Sequence, residues 1–303
     1  MATVPGTSEA PTTDEYQEPI NWYWTLSLDL YFLLSLICLA ADFVIIIAIA
    51  KYRRLRNRKS NIIILHWTIC DATFQALHPV IFRLSIKGTF QYWYHEIVCV
   101  IEELCYTLLL VEVLFVVLLT FYWYYDIHDP TMLVKINNHM TFLIIFVYCI
   151  GMFSMGFHVW SCVTHFHMGS ISFLISILGF LVYFLFMLII NIISVIRRKL
   201  NRSTSRPFGN INYVLSNFFF LCKFSVLVVT LVSSLFRFHT IGIMVTFFFA
   251  VSNSIFNLII LYKRDEDYKV FLKNIFTLKC DRYNDEFVDE PIRFSNGDVE
   301  SRS

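Results

Sequence analysis

Seven apolar stretches, each long enough to cross a bilayer as a helix, are separated by loops whose lysines and arginines fall almost entirely on alternate sides. A helix of about 20 apolar residues matches a hydrocarbon layer about 30 Å thick. The stretches run over 25–50, 61–82, 98–122, 141–160, 171–195, 211–236 and 241–262. In lipid every backbone amide must be paired within the protein, which leaves helices or a closed β-barrel. Runs this long and uniformly apolar are not the alternating strands of about 10 residues that build a barrel. The expected fold is all-α, a seven-transmembrane helix bundle. Hydrophobic residues make up 57% of the chain and charged residues 16%, more apolar surface than a soluble protein of 303 residues can bury.

Charge sets the orientation, because loops rich in lysine and arginine stay in the cytoplasm. The segment after the first stretch carries Lys51, Arg53, Arg54, Arg56, Arg58 and Lys59, and that after the fifth carries Arg197, Arg198, Lys199, Arg202 and Arg206. The opposite loops hold only Arg83, Lys87 and Arg237. The N-terminus is therefore expected outside and the C-terminus inside, in a multi-pass protein of the plasma membrane. Residues 1–23 contain no lysine or arginine and no small-residue cleavage site, so they read as an extracellular tail and not as a removable signal peptide. Residues 24–262 form the bundle. In 263–278 the residues Tyr268, Phe271, Leu272, Ile275 and Phe276 recur at helical spacing opposite Lys269 and Lys273, which predicts an amphipathic helix on the inner membrane face. Residues 279–303 are polar and read as a flexible cytoplasmic tail.

The eight cysteines include no CxxC pair, and no histidine cluster has metal-site spacing, so no metal is expected. Cys99, at the outer end of the third stretch, and Cys162, in the loop after the fourth, both fall on the oxidising side, where a disulfide is the natural inference. The alternative is a pair of free buried thiols. Cys280 follows the amphipathic segment beside basic residues and is a candidate for lipidation, or else an inert cytosolic thiol. No GxSxG, HExxH, P-loop or GxGxxG motif occurs, so no enzyme is expected. Nor does a net charge of +1 point to a nucleic-acid partner.

Ionisable groups at membrane depth cost at least about 2.5 kcal/mol on insertion scales and face one another or water. Asp42, Asp71, Glu112 and Lys223 are such groups here. Lys223 and Glu112, both near mid-depth, are expected to pair and to lock an inactive state, which makes them part of the switch core. Nearer the outside, Asp29, Glu102, Glu103 and Tyr106, with Glu96, Trp93 and His165 about them, suggest a cavity for a cationic ligand held by carboxylate and aromatic faces. Glu102 and Glu103 are adjacent and cannot both point inward.

The run AADFVIIIAIAKYRRLRNRKSNIIILHWTICD, ending at Asp71, resembles the rhodopsin-like G-protein-coupled receptors, where a basic turn joins the first helix to a second that carries an aspartate. SNSIFNLIILYKRDEDYKVFL resembles the NSxxNPxxY motif and following helix of that family, keeping Asn253, Ser254 and Asn257 but with Leu258 at the proline position. FFLCKFS is similar to FxxCWxP, with Lys223 and Ser225 in place of tryptophan and proline. FYWYYDIHDP lacks the arginine of the DRY motif. The loosened motifs are similar to those of invertebrate chemosensory receptors, notably nematode ones.

The resemblance implies a switch core of Asp42, Asp71, Asn253, Ser254 and Asn257, with a possible sodium ion near Asp71. It also implies an effector surface for a heterotrimeric G protein, for which Tyr124, Tyr125, Pro130, Arg197 and Arg198 remain as candidates. The expected function is reception of an extracellular small-molecule or peptide ligand, of chemosensory kind; the alternative is a ligand-gated channel subunit or transporter whose buried charges line a path.

Overall fold

The computed structural model describes residues 18–87, 92–163, 169–201, 210–236 and 239–276. These residues contain ten helices and no strand: α1 (Glu18–Lys51), α2 (Arg53–Arg56), α3 (Lys59–Lys87), α4 (Tyr92–His128), α5 (Pro130–Asn138), α6 (Met140–Val163), α7 (Gly169–Asn201), α8 (Ile211–Phe236), α9 (His239–Arg264) and α10 (Glu266–Phe276). Each of the seven apolar stretches lies within one helix. Three helical segments among the described residues, Thr25–Lys51, Ile97–His128 and Met140–Phe157, are long and apolar enough to cross a membrane, and they mark the chain as a membrane protein. α3 is less apolar because its buried face carries Asn61, Thr68, Asp71 and Gln75.

α4 is the central helix, packed against α3, α6, α7 and α8, while α1 lies against α3 and α9, and α8 against α9. Its position follows from its sequence: Val111, Glu112, Val113, Phe115, Val116, Leu118, Leu119 and Thr120 are all buried, on every side of the helix. α6 is peripheral and leaves Phe142, Phe146, Met152, Phe153 and Trp160 exposed. It reaches α4 closely at one point, where Gly151 stands against the side chain of Val111. The Cys99–Cys162 disulfide joins the N-terminal part of α4 to the C-terminal part of α6, with the two Cα atoms 6.1 Å apart. Cys162 lies inside α6, which runs further than its apolar pattern suggests.

Two short helices have no apolar periodicity to announce them. α2 is a single turn between α1 and α3, anchored by the fully buried Leu55. α5 begins with Asp129 as its cap, accepting from the Met132 amide at 3.2 Å, and with Pro130 at its first position. α10 meets protein through Tyr268, Phe271 and Leu272, which are buried in the main core.

A methyl group at position 151 would fall 2.5 Å from Cγ2 of Val111. Gly151→Ala is therefore expected to lower stability by roughly 1–3 kcal/mol, read as thermal unfolding of the protein in lipid nanodiscs. Adding Val111→Ala should recover part of the loss.

Candidate functional site

Five helices bring polar side chains to one buried region in the middle of the bundle. α3 supplies Asp71, whose carboxylate accepts from the Ser254 hydroxyl of α9 at 2.9 Å and from the Gln75 amide, one turn along α3, at 3.3 Å. The same Gln75 nitrogen donates to the Val251 carbonyl of α9, also at 3.3 Å. These bonds clasp α3 to α9 through groups that are all buried, where a polar atom without a partner would cost about 1–3 kcal/mol. Asn253 and Asn257 are buried on the same α9 segment, and Asp42 of α1 is buried within electrostatic reach of Asp71.

The second half of the cluster is an ion pair. Lys223 Nζ of α8 lies 3.6 Å from Glu112 Oε2 of α4, and the two side chains are 4% and 0% exposed. The ammonium also sits 5.2 Å from the centre of the Phe219 ring and 5.9 Å from that of Phe74, so aromatic faces replace part of its lost hydration. Phe74 stacks on His78 at 4.8 Å, and the Tyr31 hydroxyl of α1 is 2.7 Å from His78 Nδ1. A continuous set of contacts thus leads from α1 through α3 to the ion pair.

Of the residues that the sequence singles out, the clasp unites Asp71 and Ser254 and the ion pair unites Glu112 and Lys223, with Asp42 within electrostatic reach of Asp71 and with Asn253 and Asn257 buried on the α9 segment that carries Ser254. Gln75, Tyr31, Phe74, His78 and Phe219 were not legible as site residues. Gln75 alone carried a signal, standing four residues after Asp71 on the same helix face. Asp71, Asp42, Asn253 and Ser254 supply the oxygen donors that a sodium ion takes, although Lys223 already brings one positive charge to the region. Among the described residues no group of three or more histidine, cysteine, aspartate and glutamate side chains is arranged to hold a metal.

Asp29 of α1 is exposed and ion-paired with Arg83 of α3 at 3.3 Å. Glu102 and Tyr106 are exposed, and Glu103 is half-buried. The side chains of Trp93 and Glu96, and residue His165, lie outside what the structure describes, as do Cys280 and the side chains of Arg197 and Arg198. Near the C-terminus of α4, Tyr124 and Tyr125 are partly buried with their rings 5.5 Å apart. Pro130 is exposed at the start of α5. Hydrogen bonds from the Thr131 hydroxyl and Met132 amide hold the Asp129 carboxyl below its ordinary range. The capping charge therefore persists at neutral pH and is lost only as acid protonates it.

The C-terminal end of α4 and the N-terminal end of α8 are joined by residues that the sequence did not single out. The Trp123 and Tyr213 rings are 4.5 Å apart, and Asn210 donates to Asp126 at 3.2 Å. A few residues away, Asn191 of α7 donates to Asn217 of α8 at 3.0 Å.

No protein-family model matches this chain, and no curated protein sequence matches it.

Ser254→Ala removes a buried donor to Asp71 and is expected to cost about 1–3 kcal/mol of stability, measured by thermal unfolding in nanodiscs. Ser252→Ala, which removes only a bond within α9, should leave the transition unchanged.

Proposed function

We propose that this chain is a plasma-membrane receptor of the seven-helix, G-protein-coupled kind, with its N-terminus outside. Binding of an extracellular ligand, a small molecule or peptide and chemosensory in role, rearranges the helices and activates a heterotrimeric G protein at the inner face. The observation that supports this reading best is the buried cluster itself. Asp71–Ser254 and Glu112–Lys223 cross between helices at mid-depth, so any relative movement of α3, α4, α8 and α9 must remake costly polar contacts. An assembly of this kind favours a few discrete arrangements over a continuum, which is what a switch needs.

In this reading the Lys223–Glu112 pair holds the resting state. A sodium ion held by Asp71 and Ser254 belongs to the same proposal. Glu103, less exposed than its neighbour Glu102, is the carboxylate through which a cationic ligand would act on α4. The contacts Trp123–Tyr213 and Asp126–Asn210 hold the inner ends of α4 and α8 together in the absence of a DRY arginine, and their opening would expose Tyr124, Tyr125 and α5 to the effector.

The test is a paired recording of G-protein dissociation and membrane current in cells displaying the tagged protein, while fractionated environmental and tissue extracts are applied. A G-protein signal without current is expected. A current insensitive to G-protein blockade would instead assign the buried charges to a permeation path and overturn the receptor reading. Lys223→Ala is expected to raise ligand-free G-protein signalling at equal surface expression; unchanged basal output would remove the pair from the switch.

A further inference from the structure

Lys51, Arg53, Arg54, Arg56, Arg58 and Lys59 follow one another with no acidic residue between them, and all six are exposed. They begin where α1, one of the helices fit to cross a membrane, ends. That places them at the depth of the lipid headgroups. The turn that carries them is firmly held. Leu55 is fully buried, Asn61 Nδ2 donates to the Leu55 carbonyl at 2.9 Å, and Arg56 donates to the Ala50 carbonyl at 3.2 Å, closing the end of α1.

The acidic partners of this turn lie beneath it. Arg58 bonds Asp265 at 2.7 Å and also Asp267, and Arg54 lies 3.5 Å from Asp267. The two carboxylates are 8% and 9% exposed, whereas Arg58 and Arg54 are 43% and 63% exposed. Negative charge is thus turned inward and positive charge outward. Lys263 and Arg264 at the end of α9, and Lys273 on α10, extend the basic surface, while Lys269 is paired at 3.9 Å with the exposed Glu266. Asp265 further accepts from the Asp267 amide at 2.9 Å, capping α10 and fixing its start against α2.

Clusters of four to eight basic residues on the cytoplasmic side of a span attract anionic lipids. Arginine adds planar, two-toothed recognition of phosphate oxygens. A pre-arranged arginine cluster is therefore suited to a headgroup with several phosphates more than to one with a single phosphate and a carboxylate.

We propose that α2 and the α9–α10 junction form a binding site for a phosphoinositide of the inner leaflet, with Arg53 and Arg56 contacting its phosphates. The location in the inner leaflet rests on the orientation proposed above; the headgroup chemistry does not.

Native mass spectrometry of the full-length protein in detergent tests the site, with phosphatidylinositol bisphosphate, phosphatidylserine or phosphatidylcholine added at equal concentration. Bisphosphate adducts should exceed phosphatidylserine adducts severalfold. Arg53→Gln and Arg56→Gln should each weaken them by about fivefold, and Lys135→Gln, on the exposed helix α5, should not change them. Equal retention of the two anionic lipids, or an equal effect of Lys135→Gln, would overturn the site. Orientation is read separately, by labelling Asn57→Cys with a membrane-impermeant thiol reagent in intact cells against the parent chain. Labelling from outside would overturn the inner-leaflet placement while leaving the headgroup result to stand or fall by itself.

Discussion

An ammonium and a carboxylate taken out of water together cost several kcal/mol each in lost hydration, and only close pairing with further polar or aromatic support returns it. Lys223 and Glu112 meet that condition on one side only: they approach to 3.6 Å with two phenylalanine rings around the ammonium, while neither buried carboxyl oxygen of Glu112 has a hydrogen-bond partner. The requirement acts on whole helices. α8 must come within one lysine length of α4 at that depth, and α3 must bring Phe74 to the same point. Around it, the Asp71–Ser254 and Gln75–Val251 bonds fix α3 against α9, and Asp42 joins from α1. The region thus determines the relative height of five helices as well as their proximity, which apolar packing in lipid does weakly.

Away from this centre the bundle is held by quite different means at its two ends. One end has a covalent link, Cys99–Cys162, between α4 and α6. The other has aromatic and polar contacts, Trp123–Tyr213 and Asp126–Asn210, together with the arginine–aspartate network that seats α10 on α2. A covalent tie tolerates no separation, whereas a ring contact and one side-chain hydrogen bond can be exchanged for others at modest cost.

Much of this was legible in the sequence, for reasons that can be named. Long apolar runs have one structural solution in lipid, and each falls in one helix. Ionisable residues inside such runs are so costly that Asp42, Asp71, Glu112 and Lys223 stood out individually, and Cys99 and Cys162 stood out by their location. Contacts between common residues carried no such signal. Nothing in the sequence relates Tyr31 to His78, Trp123 to Tyr213 or Gly151 to Val111, because each pairing depends on helix rotation and not on any local pattern. The short helices α2 and α5 were missed for want of apolar periodicity. On α10 the apolar residues Tyr268, Phe271 and Leu272 pack into the main core; amphipathic spacing shows that a face will be covered but not by what.

The pair at the centre can be tested directly by a double-mutant cycle on stability, using Lys223→Met, Glu112→Met and the two together in lipid nanodiscs. Each single change leaves one buried charge alone and is expected to cost about 3–5 kcal/mol, while the double change should restore most of that loss. Single losses that simply add in the double variant would show that the two side chains do not hold each other, and would contradict the account.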